Sequence, residues 1–289
     1  MIYEGDVYRP PSEADSLIIQ LTIGCARNRC TFCTMYKDKV FRVRPIPEVL
    51  ADLEEAARTI PYPIRKVFLA DGDALIVKTS DLVTVLDRAF ALFPSCRRVT
   101  VYGATADVLA KSHDELCTLR AHGLTMVYLG AETGSDRILA QIKKGITSAE
   151  TIEACHRLKA AGIQTSMTLI TGIGGVPQME ENAVESARLV TAAKPEYLGL
   201  LTLTMNPGTE LTQDYLAGRF LALSPLQVLE EQKRFLEEVD SEGTVLRSNH
   251  ISNYLALAGT LNGDRAAMID LLAKAIANGH LRPKKYRGL

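Results

Sequence analysis

Short apolar runs alternate with longer segments of helical periodicity along most of the chain. Residues 16–23 (SLIIQLTI) have the length and branched side chains of a buried strand, and residues 47–60 repeat apolar side chains at helical spacing. Further strands are predicted at residues 65–70, 98–102, 124–130, 164–171 and 197–203. Helices are predicted from Thr79 and Ser80 as N-caps, from about Ser112, within residues 148–161, and over residues 181–193. Six strand–helix units in series indicate parallel strands joined by right-handed crossovers.

This alternation predicts an α/β fold, a partial (βα)6 TIM-type barrel with a C-terminal helical extension. Residues 1–15 are interpreted as an N-terminal extension and residues 16–216 as the barrel. Residues 217–289 continue the same domain, with helices at 226–239 and 265–278 and a further strand near 244–247. We expect this extension to face the substrate, because ligands of parallel α/β folds bind at the carboxyl ends of the strands.

The overall composition narrows the classes of partner. The chain has 289 residues, of which 47% are hydrophobic, and its 33 basic and 34 acidic residues give a net charge of −1. This balance offers no electrostatic reason to expect nucleic acid or an anionic membrane as a partner. The first 15 residues, MIYEGDVYRPPSEAD, resemble neither a signal peptide nor a transit peptide, and the apolar runs are strand-length. A cytoplasmic location is the resulting expectation.

Three of the six cysteines, Cys25, Cys30 and Cys33, lie within nine residues directly after the first strand. A disulfide framework is a poor interpretation without an export signal. Structural zinc normally takes four ligands, and the next histidine is His113, so zinc would need a fourth ligand brought in by the fold. Three thiolates without a fourth favour an iron–sulfur cluster that leaves one iron open.

The segment around these cysteines resembles the signature of the radical SAM superfamily. In that family three cysteines after the first barrel strand bind a [4Fe–4S] cluster, and S-adenosylmethionine chelates the fourth iron. Phe32 corresponds to the aromatic residue before the last cysteine, and the two residues between Cys30 and Cys33 match the usual gap. The gap after Cys25 holds four residues where the commonest pattern has three. A loop can absorb the additional residue.

Two later segments extend the resemblance to the cofactor site. Asp71, Gly72 and Asp73, at the end of the second strand, resemble the Gly-Gly-Glu-like segment that receives the amino group of the cofactor; an ordinary turn is the alternative. Glu132 and Ser135 belong to a Gly-x-Glu-x-Gly-Ser stretch. It resembles that of the branch containing anaerobic coproporphyrinogen oxidase, the tRNA methylthiotransferases and Elongator-type enzymes. There the glutamate lies near the ribose hydroxyls or the cofactor amine. Ser135 would also suit a helix N-cap.

Further cofactor contacts are implied by the same branch. Lys144 lies where a basic residue pairs with the cofactor carboxylate, although a solvated surface lysine is the alternative. Thr171 and Gly172 begin a glycine-rich segment similar to the one that lies against the adenine, where glycine allows a close approach of the backbone. Leu203, at the end of the sixth strand, is assigned to the same cofactor site.

Candidates for substrate binding and catalysis come mainly from the C-terminal extension. A polar loop offers potential hydrogen-bonding groups for a small polar substrate, namely Arg247, Ser248, Asn249, His250 and Asn253. A loop that merely caps the following structure is the alternative. His250 can exchange a proton near neutral pH. Tyr36, close to the cysteines, is a second catalytic candidate with packing as its alternative.

The resemblance implies an enzyme, an oxidoreductase or lyase, that cleaves S-adenosylmethionine reductively to a 5′-deoxyadenosyl radical. That radical would abstract hydrogen from a small-molecule substrate, and flavodoxin or ferredoxin would supply the electron. The alternatives are a coproporphyrinogen-oxidase-like tetrapyrrole enzyme and a non-catalytic haem- or cluster-binding chaperone. The scattered Cys96, Cys117 and Cys155 make a second cluster unexpected. We expect neither tRNA methylthiotransfer nor cobalamin-dependent methylation, because no RNA-binding or cobalamin domain is evident.

Overall fold

The computed structural model describes residues 1, 3–283 and 287, and the chain falls into two compact units. The first unit comprises Met1–Asn28, Met35–Leu129 and His156–Thr165. The second comprises Arg29–Thr34, Gly130–Cys155 and Ser166–Leu289. The domain boundaries expected from the sequence stay a prediction.

The first unit is built on four parallel strands in the order β1, β4, β5 and β6. Its strands are β1 (Leu17–Gln20), β2 (Thr22–Ile23), β3 (Arg42–Val43), β4 (Lys66–Ala70), β5 (Arg98–Gly103) and β6 (Leu124–Glu132), the last of which ends in the second unit. Its helices are α1 (Ile46–Thr59), α2 (Thr79–Leu92), α3 (Thr105–Leu109) and α4 (His113–Ala121). Strands β2 and β3 pair separately as an antiparallel hairpin.

The second unit continues the alternation of helices and parallel strands. Its elements are α5 (Asp136–Gln141), α6 (Ser148–Ala160), β7 (Gln164–Thr171), α7 (Met179–Ala193), β8 (Tyr197–Thr202), α8 (Glu210–Leu216), α9 (Pro225–Glu238), β9 (Val245–Arg247), β10 (Ala258–Thr260) and α10 (Arg265–Asn278). Helix α6 and strand β7 each have one end in the first unit. Strands β7, β8 and β9 pair in parallel, and β10 is antiparallel to β9.

The predicted α/β alternation is therefore confirmed, with two local corrections. The run 16–23 is divided, because residues after Leu21 leave the parallel ladder to pair with Arg42 and Val43. Thr79 and Ser80 are the first residues of α2 and not its N-cap. The hydroxyl of Thr79 donates instead to the carboxylate of Glu115, at 2.8 Å.

Ser112 caps α4, the helix that the sequence predicted to begin at about this residue. Its hydroxyl accepts from the backbone N–H of Glu115, and the Glu115 side chain accepts in return from the Ser112 N–H. This reciprocal pair satisfies two backbone donors at the start of the helix. None of the helices in the described part of the chain combines the length and apolar character needed to cross a bilayer.

A buried carboxylate fixes the N-terminal segment in the first unit. Glu13 has no exposed surface, and its carboxylate accepts hydrogen bonds from Tyr128, Arg98 and Ser16. Burial and the adjoining Glu13 raise the pKa of Tyr128, so its hydroxyl stays a donor. A buried carboxylate is tolerated only when it is paired and hydrogen-bonded, and Glu13 meets both conditions.

Replacing Glu13 with alanine should destabilise the protein by about 3 kcal/mol. The change leaves Arg98 and Tyr128 without their shared acceptor, and an uncompensated buried charge costs a few kcal/mol. Urea unfolding monitored by circular dichroism measures the loss. Glu4→Ala is the matched control, because Glu4 pairs with Arg42 at an exposed position and should cost less than about 1 kcal/mol. Equal losses in the two variants would contradict this account of Glu13.

Candidate active site

Most of the residues predicted for the site lie at or shortly after the carboxyl ends of strands, and Lys144 follows α5. Cys25, Tyr36 and the segment Asp71–Asp73 belong to the first unit. Cys30, Cys33, Glu132, Lys144 and Gly172 belong to the second. No disulfide is formed among the six cysteines, all of which are described. Among the described residues, no group of three or more His, Cys, Asp or Glu side chains is arranged to hold a metal ion.

In the first unit, Asp73 holds the start of the cysteine loop. Its Oδ2 accepts from the backbone N–H of Ala26, at 2.7 Å, and from the thiol of Cys25, at 3.4 Å. Gly72 lies beside them, and a Cβ at this position would be 2.8 Å from the ring of Tyr36 and 3.0 Å from the Cβ of Cys25. Only glycine lets these two segments approach so closely. The structure thus brings Cys25, Tyr36, Gly72 and Asp73 together.

Asp71 has a different environment from Asp73. It is completely buried, and its Oδ2 accepts from Gln20 (3.2 Å), from the backbone of Gly24 (3.0 Å) and from Lys39 (3.0 Å). The Oδ1 atom has no hydrogen-bond partner among the described residues. Asp71 therefore fixes the loop that precedes Cys25, and Asp73 is the better placed of the two acids to meet a cofactor. Sequence reasoning missed Lys39, which no periodic or spacing signal marks.

Tyr36 is a well-packed side chain. Its ring is 4% exposed and lies edge-on to Tyr8, with 5.6 Å between the ring centroids. The ammonium of Lys39 is 5.5 Å from the centroid of the same ring, and the Tyr36 carbonyl accepts from Asn28. These contacts support packing, the alternative considered for Tyr36, and its catalytic role stays a prediction.

In the second unit, Glu132 and Lys144 form an ion pair of two largely buried side chains. The ammonium of Lys144 is 2.6 Å from Glu132 Oε1, and the side chains of Lys144 and Glu132 are 16% and 11% exposed, respectively. The backbone of Glu132 has a φ of 68°, in the left-handed region that non-glycine residues rarely occupy. Strain of this kind is concentrated at functional sites. The two residues present a fixed carboxylate and ammonium to a charged ligand.

Ser135 lies next to this pair in the sequence and has a structural function. Its hydroxyl accepts from the backbone N–H of Ile138 at 3.2 Å and so caps α5, as the sequence indicated. The same hydroxyl donates to Glu181. Contact with a cofactor stays a prediction for Ser135.

The remaining cofactor candidates of the second unit gather around an apolar cluster. Phe32 and Leu203 pack against buried residues of this cluster, which comprises Ile138, Leu139, Ile142, Ile146, Ile170, Ile173 and Leu211. Leu203 donates its backbone N–H to the carbonyl of Thr171 at 2.9 Å, and a Cβ on Gly172 would lie 3.8 Å from that of Leu203. Thr171, Gly172 and Leu203 are thus brought together, and Phe32 and Leu203 share the same apolar cluster.

The loop carrying Cys30 and Cys33 is fastened through Thr31. Its backbone N–H donates to the Ile142 carbonyl, and its carbonyl accepts from Leu211, each at 3.0 Å. Both cysteines are partly exposed, which leaves their thiols accessible to a metal. Three accessible thiols in a polar loop fit an iron–sulfur cluster by the chemistry of the donor set.

The polar loop of the C-terminal extension supports its own structure. Asn253 is fully buried; its amide donates to the carbonyls of Leu200 and Ser248, and its Oδ1 accepts from Thr202. Ser252 accepts from the Thr202 backbone. Ser248 is also buried, whereas Arg247 and Asn249 are exposed. These contacts favour the capping alternative for Asn253, and substrate binding stays a prediction for the loop.

His250 is the ionisable group of this loop. Its Nδ1 accepts from the Ser252 backbone N–H at 3.2 Å, which in the neutral ring leaves the proton on Nε2. Burial, together with the positive charge of Arg282, lowers the pKa of His250. The lowered pKa favours the neutral imidazole, which offers its Nε2–H as a hydrogen-bond donor.

Asp107, in the short helix α3 after β5, is an ionisable group that sequence reasoning missed. Burial and, to a smaller extent, the charge of Asp73 raise the pKa of Asp107 to about 6. The hydrogen bond from the Ala104 backbone N–H acts in the opposite direction and lowers this pKa. A cavity of about 460 Å³ opens beside Asp107 and is also lined by Lys111. Burial lowers the pKa of this lysine. Ionisable groups with perturbed pKa values in a cleft are candidates for function.

Comparisons with known proteins agree with this arrangement. The model of the Radical SAM superfamily matches residues 19–187, more than half of the chain. A tRNA-2-methylthio-N(6)-dimethylallyladenosine synthase from Alkalilimnicola ehrlichii is 25% identical over 210 residues, which cover 69% of this chain and 45% of the relative. An uncharacterized methyltransferase from Pyrococcus horikoshii is 25% identical over 250 residues, or 82% of this chain and 51% of the relative. The chain spans about half the length of these relatives.

Solved structures show the same fold. The radical S-adenosylmethionine methyltransferase TsrM from Kitasatospora setae, with cobalamin and a [4Fe–4S] cluster bound, has a TM-score of 0.58 and 18% identity. The match covers 94% of this chain and 59% of that one. Coproporphyrinogen III oxidase from Escherichia coli has a TM-score of 0.56 and 16% identity, covering 77% and 52%. These similarities confirm the predicted fold class of an α/β partial barrel.

Asp107→Asn should remove a pH-dependent loss of stability. The pKa of Asp107 is raised from its usual value near 3.8 to about 6, so the folded protein retains a proton that the unfolded chain releases. Wild-type stability should therefore fall relative to the variant by about 1–3 kcal/mol as the pH rises from about 4 to about 6. Denaturant titrations across this range measure the difference. Asp15→Asn, at an exposed position, should follow the wild-type profile. Parallel profiles for wild type and Asp107→Asn would contradict the assignment.

Proposed function

Because this chain belongs to the radical SAM superfamily, we propose that it cleaves S-adenosylmethionine reductively and uses the resulting radical on a small-molecule substrate. The chain is an enzyme of that family, and its cofactors are S-adenosylmethionine and a [4Fe–4S] cluster. When bound, these cofactors supply a 5′-deoxyadenosyl radical that abstracts hydrogen. The identity of the substrate and the assignment of individual residues are parts of the proposal.

The observation that carries the proposal is the position of Cys25, Cys30 and Cys33 within the family match. The three cysteines lie in one nine-residue stretch inside residues 19–187. In the proposal these thiols hold three irons, and the polar ends of S-adenosylmethionine take the fourth. The same donor set would suit structural zinc only with a fourth protein ligand.

The surrounding residues have complementary tasks in this proposal. Asp73, whose carboxylate already lies 3.4 Å from the Cys25 thiol, would accept from the amino group of the cofactor. Glu132 would accept from the ribose hydroxyls, and Lys144 would pair with the cofactor carboxylate. Phe32 and Leu203 would pack against the adenosine. The three polar roles depend on the charges of the side chains, and the two packing roles depend on their apolar character.

His250 and Arg247 are proposed to meet the substrate. Neutral His250 would accept or return a proton, and the exposed guanidinium of Arg247 would pair with an anionic substrate group. Flavodoxin or ferredoxin is proposed as the electron donor. The reaction would be that of an oxidoreductase or a lyase if the substrate radical is oxidised or fragments. It would be a transferase reaction if a group is attached in place of the abstracted hydrogen.

Group transfer is the second candidate. The names of the relatives favour it, since they include a tRNA methylthio-modifying synthase and methyltransferases. In this version the chain would place a methyl or methylthio group on its substrate, and a nucleic acid would be a possible class of substrate. Isotope labelling separates the two: label from the methyl group of S-adenosylmethionine reaches the product only in group transfer.

Cys30→Ala should abolish both the brown chromophore and the production of 5′-deoxyadenosine. Removing a residue that only hydrogen-bonds to a metal ligand lowers metal affinity or activity about ten- to a hundredfold. Removing a ligand itself should therefore reduce the cleavage of S-adenosylmethionine by more than about a hundredfold. The protein is reconstituted anaerobically with iron and sulfide, reduced with dithionite, and assayed by chromatography with S-adenosylmethionine. Cys117→Ala is the matched control, because Cys117 is a partly exposed cysteine outside the loop and should retain both properties. A wild-type protein that binds zinc but forms no chromophore would refute the proposal.

A further inference from the structure

Helix α9 carries a carboxylate on the side that faces the interior. Glu231 is 3% exposed, and its Oε1 accepts two hydrogen bonds. One comes from the backbone N–H of Gly172, at 2.8 Å, and the other from the amide of Asn182 on α7, at 2.7 Å. The same Asn182 amide also reaches the carbonyl of Ile170, at 3.2 Å. Glu231 therefore fastens the turn at which β7 passes into the glycine-rich segment.

The second oxygen of this carboxyl group has no partner. Glu231 Oε2 and Gln232 Oε1 are buried without a hydrogen bond among the described residues. A cavity of about 20 Å³ adjoins them, enough for one water molecule. Glu231 is the one ionisable residue of its lining, which is otherwise formed by Leu169, Ile170, Thr171, Asn182, Ala183, Ser186, Leu200, Gln232 and Phe235.

Most charged residues of the neighbouring helices have partners of their own, and Glu230 on α9 is exposed. On α7 and α9, Glu180 pairs with Arg234, Glu181 with Arg137, Glu185 with Arg188, Lys233 with Glu237, and Arg234 also with Glu238. On α10, Lys274 pairs with Asp270, and Arg265 donates to the Val239 carbonyl. Among the described residues no charged partner compensates Glu231, and burial raises its pKa to about 8 despite the hydrogen bonds from Gly172 and Asn182. The carboxyl group is thus mainly protonated at neutral pH.

We propose that Glu231, as an uncharged carboxylic acid, is a positioning residue that fixes the backbone of Gly172 and thereby shapes the surface for the adenosine of the cofactor. The inference rests on the proposed function, which puts the cofactor against the Gly172 segment. It assigns a site-forming role to a residue of the C-terminal extension, about sixty positions later in the chain. Loss of the acceptor leaves a buried N–H without a partner, and the segment can then satisfy that group only by moving toward water.

Three substitutions separate the hydrogen bond from the packing. Glu231→Gln keeps an oxygen that can accept from Gly172 and mimics the uncharged acid. Glu231→Leu fills a similar volume without an acceptor, and Glu231→Ala removes both. Leu236→Ala is the matched control, because Leu236 is buried on the same helix and is not part of the cavity lining. It should lower stability without loosening the Gly172 segment.

The first measurement is amide hydrogen exchange, by mass spectrometry, of the peptide that contains Gly172. Exchange should accelerate about tenfold or more in Glu231→Leu, and stay near wild type in Glu231→Gln and Leu236→Ala. The leucine variant remains informative if the alanine variant does not fold. If the amide of Gly172 exchanges in Glu231→Leu at the wild-type rate, the proposal is overturned, regardless of whether the cofactor binds.

The second measurement is the affinity for S-adenosylhomocysteine, by calorimetry on the reconstituted protein. We expect binding to weaken about tenfold or more in Glu231→Leu and to be retained in Glu231→Gln and Leu236→Ala. A wild-type protein that neither binds this probe nor forms 5′-deoxyadenosine would refute the proposed function. Normal wild-type binding with an unchanged affinity in Glu231→Leu would refute the positioning role alone.

The third measurement tests the uncharged state of the acid. The pKa of Glu231 is raised from its usual value near 4.5 to about 8, so the folded protein keeps a proton that the unfolded chain releases. The melting temperature of the wild type should fall relative to Glu231→Gln as the pH rises from about 5 to about 8, and the difference should then level off. A difference that is constant over this range would overturn the assignment of an uncharged acid.

Discussion

Backbone N–H groups in loops need acceptors, and this requirement governs the candidate site. Strands and helices satisfy their backbone internally, whereas a loop that passes close to the core must find side-chain partners or water. Three of the motif loops donate backbone N–H groups, four in all, to buried side-chain oxygens from other elements. The pairs are Gly24 with Asp71, Ala26 with Asp73, Gly134 with Ser186, and Gly172 with Glu231. Loops held in this way can present residues to a ligand without being part of the core.

The acceptors differ in how their burial is compensated. Asp71 has the ammonium of Lys39 at 3.0 Å, so charge is balanced within the first unit. In the part of the chain that the structure describes, Glu231 has no cation beside it, and burial raises its pKa so that it keeps its proton. Ser186 is neutral and needs no compensation. The same task is thus performed by an ion-paired carboxylate, an uncharged acid and a hydroxyl, and each choice follows from the local surroundings.

The sequence predicted the alternation of elements more fully than the site. Strand-length runs rich in apolar or β-branched residues marked the parallel strands, and for β7 the predicted bounds coincide with those observed. The run 16–23 could not be divided in advance, because its second half is recruited by Arg42 and Val43, which lie about twenty residues away. Short helices such as α3 and α5 leave too few turns for periodicity to register.

The motif residues were recognisable because their types and order match a family, whereas their supports are visible only after folding. Lys39 and Asp107 follow no spacing rule. Glu231 did leave a trace: it occupies a core-facing position in the apolar pattern of α9, where a polar residue is unexpected. Such breaks in periodicity are worth examining, since a polar group buried at an apolar position needs a partner.

The attachment of α9 bears on how the chain can be divided. A fragment ending near residue 216 would retain every cysteine and every glycine motif, and by sequence alone it would look like a self-sufficient catalytic core. It would nevertheless lack the acceptor for Gly172 and the helix that packs on α7. The C-terminal segment is for this reason an integral part of the architecture, and recombining it with a barrel from another protein would require a new acceptor at the end of β7.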